Sequence, residues 1–163
     1  MTKPDLAPIA LDDLDLRILD ILQSDSSLTN QELAQKVHAS PPTVFRRVRR
    51  LRTQGYITRE VAILSPEKLG AGLTAIVEIT LDVQTAEELD AFEADIIGAD
   101  AIQQCYRVSP GPDFLLIIQL PDMPAYHELA HRLFTSKKNV RNVRTFFAIH
   151  RSKFETRLPL LKR

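Results

Sequence analysis

ASPPTVFRRVRRLRTQGYI, residues 39–57, packs five arginines into the seven residues Arg46–Arg52 of a chain whose formal charge sums to zero. Ser40 before Pro41 is a helix-start signal: the hydroxyl can accept a backbone N–H, and proline loses nothing at the first helical position. Gly55 supplies the left-handed residue that closes a helix. Between these limits Val44, Val48 and Leu51 recur at i, i+4 and i+7 as one narrow apolar stripe. Thr43, Arg46, Arg49 and Arg50 point away from the stripe, with Arg47 and Arg52 along its flanks. One side packs and the other is cationic.

Two more helices precede this one. Thr29 and Glu32 form a capping box, with Leu28 placed to close over Leu33, and predict a short helix over 30–37. Asp12 caps an earlier helix with Asp15 at its third position, after which Leu14, Ile18, Ile21 and Leu22 recur with helical spacing. Three short helices with a tight turn between the second and third match helix-turn-helix geometry, in which the third enters the DNA major groove. Arginine neutralises phosphate and can donate paired hydrogen bonds to guanine. No acid lies between Glu32 and Glu60, so the arginines are expected to be unpaired. The candidate DNA contacts are Ser40, Pro42, Thr43, Arg46, Arg47, Arg49 and Arg50, with Gln31 of the second helix at backbone phosphate.

Charge is segregated along the rest of the 163 residues: 82–100 carry seven acids and no base, 137–163 nine bases and one acid. The 44% hydrophobic content and 26% charged content describe a soluble globular protein. No apolar run approaches the ~20 residues that cross a bilayer, and the acidic N-terminus is unlike a signal peptide. The expected location is the cytoplasm, where a lone Cys105 fits a reducing compartment.

After residue 58 the period changes. REVAIL (59–64) reads as a strand and SPEKLGAG (65–72) as a linker. Ala75, Val77, Ile79, Leu81 and Val83 alternate with polar residues as a half-buried strand. A helix capped by Thr85 and Glu88 follows, with Leu89, Phe92 and Ile96 on one face. Two strands around SPGP (109–112) come next. A helix capped by Asp122 then turns Met123, Tyr126, Leu129, Ala130 and Leu133 inward, and VRNVRTFFAIH (140–150) closes the pattern. The order β-α-β-β-α-β is that of a ferredoxin-like sandwich, so the fold class is α+β. The expected division is a helix-turn-helix domain over 1–58, strand and linker over 59–72, and a sandwich over 73–163. Phe146 and Ile76 lie opposite the regular apolar sets, which points to a sheet face covered in a homo-oligomer.

HELAH (127–131) fits the zinc-protease pattern, with His127 and His131 one turn apart and Glu155 downstream as a conceivable third ligand. The pattern arises by chance in short helices, and the pair flanks an apolar stripe as amphipathic residues at a core edge do. No metal, cofactor or catalytic residue is expected. The rival readings are a zinc hydrolase and a small-molecule sensor that acts without DNA.

Taken with VEITL (77–81), VSPGPDF (108–114), PDMPAY (121–126) and NVRTFFAI (142–149), residues 14–70 make the chain resemble the Lrp/AsnC family of transcription regulators. The resemblance runs from Leu11 to about Phe154. It implies a winged-type helix-turn-helix, a hinge strand, and a sandwich that dimerises and assembles to octamers, with an amino-acid effector between dimers. The double-stranded DNA partner follows from the same resemblance. The family's effector loop reads glycine, acid, any residue, aspartate, aromatic; here Pro110 stands at the glycine and Gly111 at the acid, while Asp113 and Phe114 are kept. The effector set implied is Ser109, Pro110, Gly111, Asp113, Met123, Phe146 and Phe147.

Overall fold

The computed structural model describes residues 10–70 and 72–160. Two compact units divide the chain, one of residues up to Ile63 together with those from Lys153 onward, the other Leu64–Ser152.

In the first unit, α1 (Asp13–Leu22), α2 (Asn30–Val37) and α3 (Pro41–Thr53) surround one core. Each start is fixed by the expected cap: Asp12 and Asp15 form a reciprocal capping box, Thr29 and Glu32 another, and Ser40 accepts the Thr43 N–H. Ile18, Leu33, Val37, Val44, Val48 and Leu51 are buried, so the α3 stripe does pack. The turn between α2 and α3 holds His38 at φ 56°, a left-handed conformation that a Cβ disfavours. Gly55 takes the same region at the other end of α3, and the Tyr56 N–H donates back to the Leu51 carbonyl.

The expected strand over 59–64 does not form among the described residues. Its backbone has no ladder partner there, and Val61, Ile63 and Leu64 are all exposed. Alternation identifies a segment able to pair; it does not supply the second strand. The C-terminal stretch 153–160, assigned by sequence to the sandwich, instead belongs with the helical unit. Gln23 exchanges two hydrogen bonds with the Leu158 backbone, at 2.9 and 3.0 Å, and Arg157 pairs with Asp20 at 2.8 Å.

The second unit is a four-stranded antiparallel sheet in the order β2-β3-β1-β4, built from β1 (Leu73–Leu81), β2 (Ile102–Arg107), β3 (Phe114–Leu120) and β4 (Val140–Phe147). Helices α4 (Ala86–Ile96) and α5 (Met123–Ala130) supply the rest of the core, giving the expected βαββαβ order. Ala75, Val77, Ile79 and Leu81 meet Phe114, Leu116 and Ile118 beneath Phe92, Ile96, Tyr126 and Leu129. Val83 continues the alternation in sequence but lies beyond the strand end and is exposed.

Two details of α5 differ from the helical pattern. Met123, expected inside, is exposed on the first turn, whereas Phe134 is buried. The helix widens into a π turn over His131–Thr135, which turns Leu133 and Phe134 inward together. The opposite sheet face pairs Ile76 with both Ile117 and Phe146 in register, and Phe146 remains 46% exposed. Cys105 is half-buried against the core, and burial pushes its thiol pKa up, so it stays protonated.

Candidate nucleic-acid interface

Helix α3 advances about 100° per residue, and this rotation sorts its arginines into two groups. Thr43, Arg47 and Arg50 follow one another at i, i+4 and i+7 along the flank that meets α1. There Asp15 is fully buried, and both guanidiniums converge on its carboxylate. Arg47 Nη1 lies 3.1 Å from Asp15 Oδ2 and 2.6 Å from Asp12 Oδ2; Arg50 Nη2 donates to Asp15 Oδ2. The expectation that no acid is at hand is therefore corrected: the partners precede α2 in sequence and reach α3 through the fold. Arg50, placed outward by sequence, and Arg47, placed on the flank of the stripe, both hold α3 against α1.

The electrostatics agree with that geometry. The Asp15 N–H holds the Asp12 carboxyl below its ordinary pKa, and Arg47 adds to the effect against partial desolvation. Arg47 is itself raised, first by its bond to Asp12. The two shifts favour the charged forms of Asp12 and Arg47 beside the α1 cap.

Arg46 and Arg49 occupy the outer face and are exposed, with Ser40 and Pro42 at the start of the helix. The Ser40 and Thr43 hydroxyls are 2.8 Å apart, so both are engaged in the cap. Arg52 reaches back to Glu60 at 2.6 Å, an exposed pair at the far end of the helix. Gln31 is exposed on the first turn of α2. Sequence reasoning passed over Phe45, which is 54% exposed between the arginines. Its signal was available: it lies outside the 44/48/51 stripe, so its ring cannot share that core.

The effector set is split within one chain. Ser109, Pro110 and Gly111 are exposed on the β2–β3 turn, with Gly111 at φ 125°. Asp113 is a structural staple there: its Oδ2 accepts the Leu81 N–H at 2.7 Å and the Gln84 side-chain amide at 3.2 Å. Phe146 and Phe147 lie about five strand residues away, roughly 16 Å along the sheet, with β1 between β3 and β4. Even these two are on opposite faces. Phe146 lies under Arg144 on the open face, and Phe147 meets the Tyr126 ring edge-on at 5.0 Å on the helical face. Met123 starts α5, after the far end of β3.

His127 packs edge-on against Tyr126, with ring centroids 5.9 Å apart, and Glu155 belongs to the other unit. Among the described residues no three His, Cys, Asp or Glu side chains gather as a metal site, and no helix is long and apolar enough to cross a membrane.

Comparison with known proteins matches the chain to two family descriptions in succession. Residues 11–58 match the family described as winged helix-turn-helix DNA-binding, and residues 74–158 match the Lrp/AsnC ligand binding domain. The leucine-responsive regulatory protein of Salmonella typhimurium is 37% identical over 94% of this chain and 93% of its own length. An AsnC family transcriptional regulator from Agrobacterium tumefaciens superposes with a TM-score of 0.86 at 34% identity, covering 91% of this chain and 97% of that one. A transcriptional regulator from Neisseria meningitidis, solved as a complex with L-Met, also reaches 0.86, at 29% identity over 92% and 97% of the two chains. With a capped three-helix unit, a βαββαβ unit and relatives matched over almost their full length, the chain belongs to the Lrp/AsnC family of transcription regulators.

Proposed function

We propose that this regulator reads DNA through the outer face of α3, using Arg46 and Arg49, while Arg47 and Arg50 set the pose of that helix. The observation that carries the reading is the division of one arginine run between a buried acid and open solvent. Ser40, Pro42 and Thr43 enter the groove with the helix start, and Gln31 approaches phosphate from α2. In a symmetric dimer two such helices address half-sites about one DNA turn, roughly 34 Å, apart. Fluorescence anisotropy with promoter fragments tests it. Binding should be sequence-selective and weaken steeply with salt; salt-insensitive or absent binding refutes it.

The second unit is proposed to bind an amino acid between copies of the chain. The split effector set supports an intermolecular site, because Ser109–Asp113 of one copy and Met123 or Phe147 of another can converge only across an interface. The relative solved with L-Met supports the ligand class. Gly111 and Pro110 leave the loop without the family's second acid, and Asp113 already serves Leu81 and Gln84. The α-amino group is therefore to be met largely by backbone carbonyls. The open sheet face with Ile76, Ile117 and Phe146 is the proposed dimer contact, and further assembly to an octamer follows the family pattern. Replacing Phe146 by glutamate should shift the mass measured by light scattering towards the monomer. Thermal-shift screening of amino acids should give a concentration-dependent rise in Tm for at least one. The protein acts in the cytoplasm without catalysis.

A further inference from the structure

Phe45 is not among the residues that form or pack against the helical core. It is the fifth residue of α3, half exposed, and sits on the face that carries Arg46, Arg49 and Arg52. A lone exposed apolar side chain is ordinary on a protein surface. This one is set in a helix without a single acid, beside a groove lined also by Asn30, Arg49, Arg52 and Thr53. A polyanion is the complementary occupant, and it approaches a face whose centre is an aromatic ring.

An aromatic side chain has no donor or acceptor to offer a base edge. Of the groups displayed in the major groove, the one that matches it chemically is the thymine C5-methyl. Early residues of a recognition helix are those that reach base edges, and Phe45 lies within its first turn and a half. Its flanking arginines have different work: they bind phosphate or guanine. We infer that Phe45 is a specificity-determining residue that packs on a thymine methyl in each half-site. This inference rests on the proposed entry of α3 into the major groove.

The test replaces thymine by deoxyuridine, which pairs identically and lacks only the methyl. A binding site is first selected from random duplexes with the full-length protein. Each thymine of a half-site is then replaced singly and affinity read by anisotropy. One position should lose about fourfold in affinity, the transfer free energy of one methyl-sized group. Phe45→Ala should abolish that difference, because it removes the ring that senses the methyl, and Phe45→Leu should retain part of it. Insensitivity of the wild type at every thymine overturns the inference while leaving DNA binding in place. So does Phe45→Ala that still distinguishes thymine from deoxyuridine, or that weakens all duplexes equally. A wild type that selects no duplex overturns the proposed function and this inference with it. The deoxyuridine scan uses unaltered protein, so it does not depend on the variants' folding.

Discussion

Replacing Asp15 by asparagine removes the buried carboxylate on which the pose of α3 turns. The carboxylate is fully buried and receives Arg47 at 3.1 Å as well as Arg50. Removing one partner from a buried pair costs about 3–5 kcal/mol, most of it from the charge left behind. Three features lower the figure here. The Arg47 and Arg50 side chains are 23% and 31% exposed, so water reaches them; Arg47 keeps Asp12 at 2.6 Å; and the new amide oxygen can still accept one N–H. The expected loss is about 2–3 kcal/mol. For a unit of some sixty residues, that corresponds to a fall in Tm on the order of 10 °C or more. Thermal unfolding followed by circular dichroism at 222 nm reads it, and hydrogen exchange at α1 and α3 amides localises it to the helical unit. Asp13→Asn is the control, since Asp13 is exposed one residue beyond the Asp12 cap and should change Tm by a degree or two. If Asp15→Asn matches that control, the two arginines are not anchored by Asp15, and the separation of anchoring from DNA-facing arginines fails.

Three further outcomes follow from the same geometry. Arg50→Ala should lower Tm while leaving the order of preference among DNA sequences unchanged; a changed preference in a site selection would assign Arg50 to a base. His38→Gly should raise stability by about 1 kcal/mol, because glycine adopts the left-handed turn without steric cost, and a fall in Tm would contradict this. In acid, Asp12, Asp25 and Glu32 all have folded pKa values depressed below the ordinary ones, chiefly by the Asp15 amide, the Ser27 hydroxyl and the Thr29 amide respectively. Depressed carboxylates stabilise fully above their unfolded pKa and lose that contribution as pH falls through the folded one. Stability of the helical unit should therefore be flat from about pH 7 to 5 and decline below about pH 4, and a decline beginning near pH 6 would contradict it.

The caps of α1, α2 and α3 were legible in sequence because each is a local event: a side chain and an N–H three residues apart. The alternation of β1 was legible for the same reason, since Ala75, Val77, Ile79 and Leu81 need only the strand's own period to share a face. What sequence concealed are relations over distance. Arg47 and Arg50 find Asp12 and Asp15 more than thirty residues away, and a search for acids between Glu32 and Glu60 could not meet them. The wheel held a hint, since Thr43, Arg47 and Arg50 share one flank and the α1 start is acidic. Residues 59–64 have a strand's alternation, yet pairing is a property of two segments. Phe134 was missed because a π turn breaks the 3.6-residue period on which its neighbours were read. The effector loop was recognisable at Asp113, but its distance from Phe146 and Phe147 depends on β1 lying between β3 and β4, a strand order that no local pattern reveals.

The central claim is that Arg46 and Arg49 meet DNA whereas Arg47 and Arg50 hold the helix. Anisotropy titrations of the Arg46→Ala/Arg49→Ala double variant against a selected operator, with Tm measured on the same sample, test it most directly. The account predicts at least a tenfold loss of affinity, roughly 1.4 kcal/mol or more, a shallower dependence on salt, and a Tm within a few degrees of wild type. Unchanged affinity and salt slope in a folded double variant would contradict it.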